Sequence, residues 1–328
     1  MKEISLSLHN HRILTREESK DLLTKISQGD FNHSQIASFL TIFLMRKITI
    51  EELAGFRDAL LELCIPVDLS EYDPIDLCGT GGDGKNTFNI STLASFVVAG
   101  AGVKVAKHGN YGVSSTSGSS NVMEKLGFSF TNDLGKIKHQ IEDANICFLH
   151  APLFHPAMKL VAPIRKELGV KTFFNMLGPM VNPSKPNKQI VGVYSLELLR
   201  LYKYLYQQTD KKYAIIYSLD GYDEISLTSD FRVVSNNKDQ LITPKEYGFQ
   251  QLKQEQLFGG NTVEESAKIF LKIISGEGTI AQNNAVIANA ATAIQVSTEL
   301  SMMESIDKAT TSLQSGNALQ SLKILISI

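Results

Sequence analysis

From Thr15 to Leu60 apolar residues recur at every third or fourth position, the spacing of one buried helix face. Thr15 and Glu18 have the spacing of a capping box ahead of Leu22, Leu23 and Ile26, and Gly29 supplies the stop. Ile36, Phe39, Leu40, Phe43 and Leu44 repeat the period, and Thr49 with Glu52 forms a second capping box before Leu53, Phe56 and Leu60. Three short helices with no strand among them predict a small helical domain ending near Pro66.

The pattern changes at Pro74. Ile75 to Cys78 reads as a short apolar strand, followed by a glycine loop and the helical run Ile90 to Gly100. Val103 to Lys107 reads as a second strand, then a Gly/Ser loop and a helix to Leu126. Ile146 to Leu149, Ile190 to Tyr194 and Ala214 to Ser218 are further strands, each beside helical stretches. The alternation predicts an α/β domain with a central, mostly parallel sheet flanked by helices. From Thr262 onward the chain is helical, with alanine-rich Ala285 to Ile294 suited to close packing. Pro163 to Pro186 carries too much apolar residue for a disordered linker and reads as a crossover joining the domains. The expected organisation is a helical domain at 1–70, joined by 163–186, hinged to an α/β domain at 71–328.

Composition narrows the function without naming it. An apolar share of 43% and a charged share of 20% belong to a globular chain. A formal charge of -2 gives no global basic field for nucleic acid or an anionic membrane surface. Cys64, Cys78 and Cys147 form no CxxC pair, so neither a disulfide framework nor a structural zinc site is expected. No signal peptide and no bilayer-spanning run are evident, which makes the cytoplasm the expected compartment.

Chemistry concentrates in three places. The first is Cys78-Gly79-Thr80-Gly81-Gly82-Asp83, running on to Asn89, Ser91 and Thr92 at a helix start. Gly79 to Lys85 nearly matches a P-loop, but Asn86 stands where that motif needs a magnesium-binding hydroxyl, and Asp83 would repel phosphate inside such a cradle. A bare strand-to-helix turn explains one or two glycines; three in four residues, opening a helix, suit an anion held by backbone amides. The second is Lys107-His108-Gly109-Asn110-Tyr111-Gly112-Val113-Ser114-Ser115, with Ser119 beyond, also after a strand and so at the same sheet edge. The third is Asp220-Gly221-Tyr222-Asp223-Glu224, whose carboxylates suit a hard cation such as magnesium. Phosphate-binding loops together with a magnesium site point to a phosphorylated sugar.

Together these motifs resemble the anthranilate phosphoribosyltransferase family, and the resemblance runs over nearly the whole chain. It includes the helical opening, the Cys78–Asp83 loop, Asn89-Ile90-Ser91-Thr92, Lys107-His108-Gly109-Asn110, and Ala151-Pro152 through His155-Pro156-Ala157-Met158. It continues through Val161-Ala162-Pro163-Ile164-Arg165 and Phe174-Asn175-Met176-Leu177-Gly178-Pro179 to Asp223-Glu224. The resemblance implies transfer of 5-phosphoribosyl from phosphoribosyl pyrophosphate to the amine of anthranilate in tryptophan biosynthesis. It also implies one or two Mg2+ ions, a site in the cleft between the domains, and a homodimer joined through the helical domains.

Carried over residue by residue, the resemblance gives the donor Gly79, Gly82, Asp83, Thr87, Asn89, Ile90, Ser91 and Thr92. It adds Lys107, His108, Gly109, Asn110, Tyr111, Gly112, Val113, Ser114, Ser115 and Ser119. Gly79, Asn110 and Arg165 would contact anthranilate, with Arg165 facing its carboxylate; His108, Pro152 and His155 would line the acceptor path. Ser91, Asp223 and Glu224 would ligate magnesium. No residue is expected as nucleophile, and His108 is more readily a packing histidine than a base. The chain departs from the family pattern at Tyr111 and Thr116, both positions where a basic residue is frequent. Two other functions share the fold: pyrimidine nucleoside phosphorylases, which are longer, and a nucleic-acid-binding relative, which would lose the loops and gain a basic face.

Overall fold

The computed structural model describes residues 2–112 and 116–328. The chain forms two compact units, one from Met1–Pro66 with Ala151–Pro183, the other from Val67–His150 with Ser184–Ile328. The boundary expected at residue 70 thus lies at Pro66, since Val67 and Leu69 are buried parts of the second unit. The returning segment, expected at 163–186, begins at Ala151 and ends at Pro183. It starts early because a strand ends at His150 and helical turns follow at once, with the Ile65 N–H donating to the Phe154 carbonyl at 2.8 Å.

The first unit is helical. Both expected capping boxes form, with the Glu18 N–H on Thr15 Oγ1 and the Glu52 N–H on Thr49 Oγ1, opening helices Arg16–Gln28 and Ile50–Leu63. Asn32 and Gln35 cap His33–Met45 in the same way. Gly29 ends its helix at φ 85°, a left-handed conformation that glycine adopts without a Cβ penalty. A further helix, Lys2–His9, precedes these three; its 8 residues are too few to show a period. Phe39, Phe43 and Phe56 form an aromatic core that Phe173 of the returning segment completes. The Phe173 ring stacks on Phe56 at 4.6 Å and meets Phe39 edge-on at 5.8 Å. This explains the apolar content of that segment.

The second unit holds a seven-stranded sheet. The strands are β1 (Ile75–Gly79), β2 (Val105–Gly109), β3 (Ile146–His150), β4 (Lys188–Gly192), β5 (Lys212–Ser218), β6 (Phe231–Ser235) and β7 (Asp239–Ile242). Their order is β3-β2-β1-β4-β5-β6-β7, with the first five parallel and the last two antiparallel. Helix Ile90–Gly100 and the alanine-rich helix Ile280–Ser297 are buried against the sheet in one apolar core. Helix Asn317–Ser327 closes on the end of Ile90–Gly100, where a Cβ on Gly100 would lie 2.5 Å from the Ala318 nitrogen.

Two strands shift relative to expectation. β2 begins at Val105 because the preceding helix ends in a Gly102 turn at φ 85°, which takes up Val103 through its N–H to the Val98 carbonyl. Lys107, expected at the strand's end, is therefore mid-strand. β4 occupies Lys188–Gly192, two residues earlier than Ile190–Tyr194. It stops where the Asp223 main chain crosses, since a Cβ on Gly192 would fall 1.5 Å from the Asp223 carbonyl oxygen. β6 and β7 were not expected. They are half exposed and carry charge, including the Arg232–Asp239 pair at 2.6 Å, so no apolar run marks them.

Candidate active site

The C-terminal ends of β1 and β2 carry the two glycine loops, and the turn after β5 brings Asp223 and Glu224 beside them. After β1 the chain turns through Gly81, Gly82 and Gly84, all at positive φ (65°, 80° and 74°), a path only glycine follows cheaply. The Gly81 N–H donates to Asp223 Oδ2 at 2.6 Å, and the Thr80 N–H to the Gly192 carbonyl at 2.9 Å. Gly79 has no room for a side chain, because a Cβ would sit 2.3 Å from Asp223 Oδ2.

The outer part of this loop explains its departure from a P-loop. Asn86 is a tether: its Nδ2 donates to the Gly260 carbonyl at 2.8 Å, and its own carbonyl accepts the Gly259 N–H at 2.9 Å. Thr87 pairs with Phe258, and the Phe88 N–H reaches the Leu257 carbonyl at 3.1 Å. The Lys85 ammonium lies over the Tyr222 ring, 4.6 Å from its centroid. It therefore does not play a P-loop lysine.

The helix that follows opens at Asn89 and Ile90. The Ser91 N–H donates to Glu224 Oε1 at 2.8 Å, so a carboxylate occupies the positive end of that helix. Thr92 and Ile90 are buried, while Ser91 is half buried. The Asn89 amide donates to the Ser117 carbonyl at 3.2 Å and ties the first loop to the second.

The second loop is folded around Asn121, whose Oδ1 accepts the N–H groups of Gly112 at 2.9 Å and Gly118 at 3.0 Å. Ser119 Oγ and the Ser120 N–H both reach the Asn110 carbonyl. Gly109 cannot carry a Cβ, which would meet the Phe148 ring at 2.5 Å. Tyr111 lies edge-on to His150 at 4.8 Å, and His150 stacks on Phe130 at 4.2 Å. Val113, Ser114 and Ser115, assigned to the donor from the sequence, lie outside the described residues.

Lys107 and His108 lie within the sheet rather than beyond its edge. Both are buried in β2, and Lys107 Nζ donates to the Leu77 carbonyl at 2.7 Å. Burial pushes the Lys107 pKa down, against the attraction of Asp76, Cys78 and Glu224. Lys107 thus acts as a counter-charge within the sheet, beneath the acidic pair.

Asp223 is buried and Glu224 half-buried, with Asp83 nearby. Burial first, and then repulsion from Asp83, raises the Asp223 pKa to about 7; burial and Asp223 raise that of Glu224 well above the usual carboxylate range. Buried oxygen donors strained toward their neutral forms are what a divalent cation relieves, so the residues fit magnesium. Among the described residues no group of three His, Cys, Asp or Glu side chains closes around a metal alone. That also suits magnesium, which keeps waters and takes phosphate oxygens. Asp83 belongs to this acidic group, and its Oδ1 also accepts the Lys85 N–H at 3.0 Å. Asp220, by contrast, turns away to the hydroxyls of Thr228 and Ser229.

Arg165 stands in the helical unit, on helix Val161–Leu168. Its Nη2 donates to Asn175 Oδ1 at 3.1 Å, and its guanidinium lies 5.3 Å from the Phe174 centroid. Burial lowers its pKa, and no carboxylate attracts it among the described residues. His155 of the same unit is buried, which holds its pKa down at about 4, while Pro152 is exposed. Residues that the sequence did not mark are Asp76 and Gln189, both buried beneath the loops. An aspartate inside the apolar run Ile75–Cys78 was the available signal.

The fold and this site define a glycosyl transferase: sequence models of the glycosyl transferase family match here as a helical bundle domain over residues 2–64 and as an a/b domain over 71–319. Within that class the chain belongs to the anthranilate phosphoribosyltransferase family. It is 61% identical over 325 residues to the anthranilate phosphoribosyltransferase of Flavobacterium johnsoniae, covering 99% of this chain and 98% of the relative. It is 55% identical to that of Bacteroides thetaiotaomicron, covering 100% and 99%. Among solved structures, anthranilate phosphoribosyltransferase from Thermus thermophilus superposes with a TM-score of 0.91 at 32% identity, covering 98% of each chain. The Saccharomyces cerevisiae enzyme in complex with PRPP and Mg superposes at 0.87 and 32% identity, covering 96% of this chain and 93% of that one.

Proposed function

We propose that this chain transfers the 5-phosphoribosyl group from phosphoribosyl pyrophosphate to the amine of anthranilate. The products are N-(5-phosphoribosyl)anthranilate and pyrophosphate, the second step from chorismate toward tryptophan. The observation that carries the reading is one sheet edge with two glycine loops, tied together by Asn89 and Ser117, beside buried Asp223 and half-buried Glu224.

Breaking the C1–oxygen bond builds positive charge on the sugar and negative charge on leaving pyrophosphate. The loop after β1 and the loop after β2 bind and orient the phosphate groups. Asp83, Asp223, Glu224 and the Ser91 hydroxyl would hold one or two magnesium ions, which shield the charge on pyrophosphate. Lys107 balances Glu224 from within the sheet. Anthranilate is a neutral amine nucleophile and needs no prior deprotonation, so positioning supplies much of the catalysis, worth about 7–11 kcal/mol in favourable cases. That agrees with a site where no nucleophile dyad is assigned. Arg165, a half-buried guanidinium with no carboxylate partner among the described residues, faces the anthranilate carboxylate; Gly79 and Asn110 contact the acceptor as well.

The helical unit exposes Leu44 and Met45, in keeping with a homodimer joined through that unit. Among the described residues no helix is long and apolar enough to cross a membrane. With no global basic charge either, the proposed setting is the cytoplasm, free of nucleic-acid and membrane partners.

Anthranilate emission tests the reading. Protein, magnesium, phosphoribosyl pyrophosphate and anthranilate together should make the fluorescence fall. Turnover of a pyrimidine nucleoside with phosphate, and none of anthranilate, would assign the chain to the phosphorylase chemistry instead.

A further inference from the structure

β1 and β2 end in the two loops assigned to the donor, yet they are not laddered like their neighbours. β1 pairs with β4 from Ile75–Lys188 to Gly79–Gly192, and β2 with β3 from Val105–Ile146 to Gly109–His150. Between β1 and β2 the only paired position is Ile75 with Val105. Beyond it, side chains stand where main-chain partners would. Lys107 Nζ donates to the Leu77 carbonyl at 2.7 Å, and the His108 N–H donates to Asp76 Oδ1 at 3.2 Å.

Asp76 is fully buried, at 0% exposure, and braced from the far side. Its Oδ2 accepts Gln189 Nε2 of β4 at 3.1 Å, and Gln189 Oε1 accepts the Tyr206 hydroxyl at 2.8 Å. Buried opposite charges are costly to desolvate, and an apolar pair would allow an ordinary ladder here. The arrangement therefore calls for a purpose other than stability.

We propose that Asp76 is a positioning residue for donor binding: it replaces main-chain pairing between β1 and β2 and so sets the spacing of the two phosphate loops. The inference rests on both loops holding the donor. Asp76 sits three residues before Gly79, and its partner amide belongs to the residue preceding Gly109, so a shift at Asp76 reaches both loops at their bases. The Asn89–Ser117 contact fixes the same two loops farther out. Spacing is thus set at two levels, and the lower one depends on the length of one side chain.

Steady-state kinetics on the full chain separate spacing from charge. Asp76→Asn keeps an acceptor at the same reach without the charge, whereas Asp76→Glu keeps the charge and moves the carboxylate outward by one methylene. The expected result is a donor KM within about threefold of wild type for Asp76→Asn, and raised about tenfold or more for Asp76→Glu and Asp76→Ala. The KM for anthranilate rises less than that for the donor, because these loops touch the acceptor only through Gly79 and Asn110. The reverse ordering, with Glu restoring and Asn failing, would overturn the inference by reducing Asp76 to a counter-charge for Lys107. An equal rise in both KM values would overturn it too. If Asp76→Ala fails to fold, the Asn-against-Glu ordering still decides. A wild type inactive with donor and anthranilate would instead sink the functional reading, whereas an active wild type matched by Asp76→Glu sinks this inference alone.

Discussion

Gly79 and Gly192 meet the same neighbour, Asp223, and replacing either with alanine should have different consequences. At Gly79 the new Cβ meets the carboxylate, a side-chain end that can swing away at the expense of the Gly81 contact. Gly79→Ala should therefore fold and lose about 10²-fold in kcat/KM for the donor, measured at saturating anthranilate. At Gly192 the Cβ falls 1.5 Å from the Asp223 carbonyl oxygen, and main chain cannot step aside. Gly192→Ala should lose about 1–3 kcal/mol of stability or more, read from urea unfolding. Arg165→Ala should raise the KM for anthranilate far more than that for the donor; an equal rise in both would contradict its role. Histidine sets the acid limit. Burial holds His150 and His155 at a pKa of about 4, below the ordinary 6.5, so the unfolded chain takes up protons first. Their contribution to stability is full above pH 6.5 and is lost as pH falls toward 4. His150→Gln should flatten that part of the stability–pH curve.

At the scale of elements, what was legible depended on whether local chemistry decided the outcome. Helices Arg16–Gln28 and Ile50–Leu63 announced themselves through Thr15–Glu18 and Thr49–Glu52, because a capping box is satisfied within four residues. Helix Ile90–Gly100 was equally plain from its apolar run. β1 stood out as an apolar stretch before glycines, but β6 and β7 did not, since the pairing of β6 with β5 and of β7 with β6 comes from tertiary context rather than alternation. The candidate site divided in the same way. Glycine loops and the Asp223–Glu224 pair are visible as composition, while their meeting depends on the β5 turn crossing the ends of β1 and β4. Lys107, expected at a strand end, lies within β2, where its bond to the Leu77 carbonyl follows from the sparse main-chain pairing of β1 with β2, which no local pattern records. Family resemblance supplied the acceptor, which neither spacing nor charge could name.

At the scale of the molecule, each unit has its own core, and the aromatic cluster is the weak point of the smaller one. Phe56→Ala would remove the ring stacked on Phe173 and should cost about 3–5 kcal/mol. The larger unit concentrates its cost differently, keeping Asp83 beside Asp223 and Glu224, whose carboxylates resist ionising. A fold retains such a group when something cationic and transient uses it. The most direct test is therefore a magnesium titration of the anthranilate fluorescence assay, run on wild type and on the Asp223→Asn, Glu224→Gln double variant. The account predicts magnesium-dependent loss of anthranilate emission in the wild type, and a rate lowered about 10²–10³-fold in a double variant that still unfolds cooperatively. Near-normal, magnesium-dependent turnover by the double variant would contradict it.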